Sequence, residues 1–105
     1  MRDKAFTSRT SWRPDINIDV DGHALVIEYD GAYWHASPEQ MVVDERKTRD
    51  LLAAGYVVAR LREDDLPPLA IDHSRYRELR VYSTAPRPRA VMEEIRDWVR
   101  RLPQR

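Results

Sequence analysis

The chain has 105 residues, room for one domain, and its 42% hydrophobic and 34% charged content excludes disorder by composition. It has no cysteine, which excludes a disulfide framework, a thiolate nucleophile and a cysteine zinc site. Basic and acidic side chains number 18 each, so the chain as a whole is not a basic nucleic-acid binder. No apolar run approaches the roughly 20 residues of a membrane span. The start, Met1 to Phe6, has no apolar signal region. The expectation is a soluble, cytoplasmic, single domain over residues 1–105.

The zero sum hides segregation. Residues 1–14 carry four basic side chains and one acid. Residues 15–30 carry five acids, Asp15, Asp19, Asp21, Glu28 and Asp30, and no lysine or arginine. Residues 31–74 carry five basic and eight acidic side chains, and residues 75–105 carry nine arginines against four acids. An acidic stretch between basic ends speaks of a site rather than of a fold.

In chain order, Ile16, Ile18 and Val20 alternate with polar residues, and Asp21-Gly22 signals a two-residue type I′ turn. A hairpin follows, with strands 15–20 and 23–30. Ser37-Pro38-Glu39-Gln40 reads as a capped helix start, and Gly55 stands at the C′ position of a helix ending near Ala54. Tyr56 to Leu61 is a third strand, parallel to the second because a helix joins them. Glu63 to Asp72 is an acidic, proline-containing loop. Leu79 to Tyr82 is a short edge strand. Pro86 and Pro88 precede a last helix with Val91, Ile95, Trp98, Val99 and Leu102 on one face. The order is β-β-α-β-(β)-α, that of an α/β fold.

The chemistry sits on the hairpin. With Asp21 and Gly22 as turn residues, Asp15 lies opposite Glu28, and Asp30 points to the same face. Ile16, Ile18 and Val20 share the other face with Leu25, Ile27 and Tyr29, where a core can form. Two carboxylates about 5 Å apart repel by roughly 3 kcal/mol at an effective dielectric of about 20. A divalent cation or a proton between them offsets that cost, and carboxylate oxygens suit Mg²⁺ or Mn²⁺. The plainer reading is a solvated acidic face. Against it stands the apolar run Ala24 to Ile27, which marks a central strand covered on both faces. His35, just after that strand, is a candidate general base, with Asp44 to orient it. Arg46 or Lys47 would face phosphate. Charge pairing along a solvated helix is the alternative for these residues. Arg96, Arg100 and Arg101 form either a basic edge or the wet face of the last helix. His23 and His73 receive no role.

These residues resemble a known family. Arg13-Pro14-Asp15, the hairpin and Val26-Ile27-Glu28-Tyr29-Asp30-Gly31-Ala32-Tyr33-Trp34-His35 are similar to the PD-(D/E)xK nuclease superfamily. The branch is that of very-short-patch-repair endonucleases and their small endonuclease-domain relatives. The resemblance continues through Asp44-Glu45-Arg46 and Leu51 to Gly55-Tyr56-Val57-Val58-Ala59-Arg60, and covers residues 13–64. It implies a restriction-endonuclease-like fold, with a mixed sheet flanked by helices, and metal-dependent hydrolysis of DNA phosphodiester bonds, in repair or restriction. It implies Asp15, Glu28 and the main-chain carbonyl of Tyr29 as ligands of Mg²⁺ or Mn²⁺, and His35 with Asp44 as the water-activating pair. Asp30 stands where the superfamily's lysine usually stands. Arg13, Arg46, Lys47 and Arg49 are the expected phosphate contacts. The branch's cysteine zinc site is missing, and only residues 1–14 precede the hairpin. A catalytically degenerate domain that binds nucleic acid or protein is the alternative. A homodimer and a partner domain carrying a zinc ribbon are both open as partners.

Overall fold

A computed structural model describes Phe6 and residues 12–104. The basic residues Arg2, Lys4, Arg9 and Arg105 lie outside the described residues, as does the start, Met1 to Ala5. The elements are β1 (Ile16–Val20), β2 (His23–Asp30), α1 (Ala32–His35), α2 (Pro38–Ala53), β3 (Val57–Glu63), β4 (Tyr76–Val81) and α3 (Pro88–Arg101). They build an α/β domain on a four-stranded mixed sheet of order β1-β2-β3-β4. β1 and β2 are antiparallel, and β2–β3 and β3–β4 are parallel. Among the described residues no helix is long and apolar enough to cross a membrane.

The hairpin forms as the turn residues dictate. Asp21 (φ 49°) and Gly22 (φ 82°) are both left-handed, the type I′ geometry whose twist matches the strands. Ile16 therefore faces Ile27 and Val20 faces His23. Leu25, Val26 and Ile27 are all at most 2% exposed, so β2 is covered on both faces. On one face Leu25, Ile27, Val57, Ala59 and Leu79 pack against Ile95, Trp98 and Val99 of α3. On the other, Val26 and Val58 pack against Leu51 and Leu52 of α2, with Phe6 and Trp12.

The α2 ends follow from their caps. Ser37 Oγ accepts from Gln40 N at 3.1 Å, with Pro38 in the first turn. At the other end Tyr56 N donates to Leu51 O and Gly55 N to Leu52 O, a Schellman closure that needs the positive φ of Gly55. Only half of the expected capping box forms, because the Gln40 amide donates to Asp44 Oδ1 instead.

Four local expectations change. β3 runs on through Arg62 and Glu63 because both are held in the ladder with β4. β4 begins at Tyr76, paired with Val58, three residues earlier than its apolar pattern suggests. The single turn α1 forms between β2 and α2. Ile16 and Ile18 are not core: each stays 42% exposed, since one helix covers that face of four strands.

Candidate functional site

β2 and β3 end side by side, and their last residues alternate between the two faces of the sheet. Glu28 pairs with Arg60 and Asp30 with Arg62, so all four side chains project to the α2 face. On α2 the positions of Gln40, Asp44, Lys47 and Thr48 recur at helical spacing and look back at them. Between them lies a cleft of about 280 Å³ lined by Arg13, Asp15, Glu28, Asp30, His35, Asp44, Lys47 and Arg60, among others.

Two subsites share this cleft. In the first, Asp15 and Glu28 close the mouth of the hairpin. Asp15 N donates to Glu28 Oε2 at 3.3 Å, and Tyr29 N donates to Asp15 Oδ2 at 2.8 Å. Glu28 is buried and forms an ion pair with Lys47, which also donates to Arg13 O at 2.6 Å. Burial pushes the Glu28 carboxyl up from its ordinary value; Lys47 and Arg60 oppose the shift and Asp15 adds to it.

The second subsite is a buried network of two acids and two arginines. Arg60 donates from Nη1 to Asp30 Oδ1 at 2.7 Å, from Nε to Thr48 Oγ1 at 2.8 Å and from Nη2 to Asp44 O at 3.1 Å. Arg62 Nη1 reaches Asp30 Oδ2 at 3.0 Å and Asp44 Oδ2 at 3.3 Å, and its Nη2 donates to Pro67 O at 2.7 Å. His35 Nδ1 lies 2.7 Å from Asp44 Oδ2 and 3.6 Å from Asp30 Oδ1. Burial also raises the Asp30 carboxyl, against the pull of Arg60 and Arg62.

Asp30, His35 and Asp44 offer ligand atoms within 4.8 Å of one another, a group that could hold a metal ion. Every carboxylate oxygen of this group already has a partner among Arg60, Arg62, Gln40 and His35. An ion here would compete with two guanidinium groups. The Asp15–Glu28 pair faces one ammonium group instead.

The structure brings Asp15, Glu28, Asp30, His35, Asp44, Lys47 and Arg13 to one place. Arg46 and Arg49 do not line the cleft; both are exposed, and Arg49 donates to Ala70 O at 2.8 Å. Lys47, expected to face phosphate, is engaged by Glu28. His23 and His73 lie outside the cleft. Arg62 and the partnering of Arg60 were missed by sequence reasoning. Their signal is two arginines, two residues apart, in a strand that is otherwise Val-Val-Ala-Leu up to its last residue, Glu63: inward-facing charge demands buried acids opposite.

The Tyr29 ring leaves the site for the other face, where its hydroxyl donates to Glu63. That bond favours the phenol over the phenolate and pushes Tyr29 up to about 12. A raised value means that the stabilisation is complete below the ordinary value and is lost as the pH rises through about 12. In a difference absorbance titration, Glu63→Gln should bring one late tyrosine back toward about 10. An unchanged curve would contradict the bond.

No family model matches the chain, and no curated protein or solved structure matches it.

Proposed function

We propose that the protein is a metal-dependent endonuclease that hydrolyses DNA phosphodiester bonds, in a restriction- or repair-like role. The observation that carries this reading is the single cleft that joins Asp15, Glu28 and Lys47 to a histidine held by a carboxylate. Asp15, Glu28 and the Tyr29 carbonyl are hard oxygen donors that fit Mg²⁺ or Mn²⁺. They suit an ion better than Asp30, His35 and Asp44, whose oxygens are already matched by arginine. Such an ion supplies Lewis-acid polarisation of the phosphate and a more acidic water.

The chain's own residues supply the rest. Asp44 accepts from His35 Nδ1, which leaves Nε2 as the atom that takes the proton of the attacking water. Lys47 places a cation beside the acids, where a phosphate would enter. Arg13 lines the cleft, and Arg46 and Arg49 stand on exposed parts of α2 for contacts that position a backbone without reading sequence. Tyr33 and Trp34, 85% and 76% exposed on α1, offer ring faces on which bases can stack.

A catalytically degenerate domain that binds nucleic acid or protein is the second reading. The observation in its favour is that Lys47, Arg60 and Arg62 already neutralise the acids of the cleft. Plasmid nicking in Mg²⁺ or Mn²⁺ separates the two. The wild type should nick only with metal. Asp15→Asn and His35→Asn should each lower the rate about a hundredfold or more. Nicking that survives Asp15→Asn overturns the nuclease reading. Duplex binding without cleavage by the wild type favours the second.

A further inference from the structure

We propose that β1 is the docking edge for a second copy of this chain, paired antiparallel about Ile18. β1 is an outermost strand, and its outer side is unpaired among the described residues. In a two-residue hairpin the residues flanking the turn, here Val20 and His23, exchange both main-chain bonds. Ile16, Ile18 and Val20 therefore turn their N–H and C=O groups inward to β2. Asn17 and Asp19 turn theirs outward.

A second β1 centred on Ile18 sets Asn17 opposite the partner's Asp19, and Asp19 opposite the partner's Asn17. Each of these pairs would exchange two main-chain hydrogen bonds. Their side chains are complementary as well, an amide donor facing a carboxylate. Both residues are exposed, and no side-chain bond is recorded for either among the described residues. On the other face Ile18 meets the partner's Ile18, and Ile16 meets the partner's Val20. The contact covers the two isoleucines left 42% exposed in the single chain.

Beside them a groove of about 300 Å³ runs between β1 and α3, floored by Ile18, Val20, Leu25 and Met92. Its helix rim carries Arg89, Glu93 and Arg96, so it presents both signs of charge to an identical rim. β1, Ile-Asn-Ile-Asp-Val, has none of the lysines or prolines that guard an open edge. The opposite edge is less free: on β4, Glu78 accepts from Leu69 N and from the Tyr76 hydroxyl.

The two-fold axis of this pairing stands normal to the sheet, so both clefts open on one side. Their Asp15 residues lie about 20 Å apart along the strands, at ~3.4 Å per residue. Two clefts facing one duplex is a consequence that rests on the nuclease reading; the docking itself does not.

The absence of cysteine makes the test clean. Ile18 faces its counterpart in a non-hydrogen-bonded pair, with Cα atoms about 4.5 Å apart, within disulfide reach. Under mild oxidation Ile18→Cys should form a covalent dimer about tenfold or more faster than Asp72→Cys, a control thiol in an exposed loop. In sedimentation the wild type should be dimeric. Asn17→Pro, which removes one outward N–H and which an edge strand tolerates, should shift it to monomer with its circular dichroism retained. Equal cross-linking rates for the two thiols, or a wild type that stays monomeric at its highest soluble concentration, overturns the proposal.

Discussion

Arg60→Met is expected to lower the unfolding free energy by about 3–5 kcal/mol, the range for removing one partner of a buried ion pair. Arg60 is 1% exposed and holds Asp30, Thr48 and the main chain of Asp44 together. Its loss leaves a carboxylate of 1% exposure with Arg62 as its remaining guanidinium partner and His35 beyond hydrogen-bond reach at 3.6 Å. A domain of about this size has only some 5–15 kcal/mol in total, and each kcal/mol is worth about 4–8 °C of Tm. Arg60→Lys should recover only part of the loss, because an ammonium group cannot reach three acceptors in the plane that the guanidinium spans. Asp30→Leu combined with Arg60→Met should cost less than the sum of the single changes, since neither charge is then left behind. Urea unfolding followed by circular dichroism measures all three. A loss below about 1 kcal/mol for Arg60→Met would mean that Asp30 is wet or protonated in the folded state.

The same network explains what the sequence could and could not disclose. The hairpin register was legible because Asp21-Gly22 permits one turn geometry, and a slip by one residue would turn every apolar side chain outward. The covering of β2 on both faces was legible in the run Ala24 to Ile27. The partners of Arg60 and Arg62 were not, because they depend on a parallel register between strands joined through α2. Lys47 looks like Arg46 and Arg49 in the sequence. Helix phase separates them: Lys47 lies three residues from Asp44 and four from Leu51, on the inward face, while Arg46 and Arg49 are exposed. Alternation marks Ile16 and Ile18 as apolar, but it does not say how far one helix reaches across four strands.

The second large effect concerns Glu28. Its carboxyl is raised above the ordinary value by burial, so folding favours the protonated form. The stabilisation this gives is complete below the ordinary carboxylate range. It is lost as the pH rises through the raised folded value, above which the protein carries a buried charge held by Lys47. Glu28→Gln removes that cost, and Lys47, 14% exposed at its side chain, can turn to solvent. The variant should gain stability relative to the wild type as the pH rises above the carboxylate range. Part of the slope should persist, because Asp30 is raised by the same cause. On the nuclease reading the same substitution should abolish the rise in Tm that Mn²⁺ gives the wild type. It should also lower nicking about a hundred- to a thousandfold, the scale of the several kcal/mol that a bound cation supplies. Gain of stability together with loss of metal response and cleavage is the signature of an acid kept for its chemistry, since a purely structural acid would lose stability when replaced. A Glu28→Gln variant that is less stable at neutral pH and still shifts with Mn²⁺ would move the metal to Asp30, His35 and Asp44.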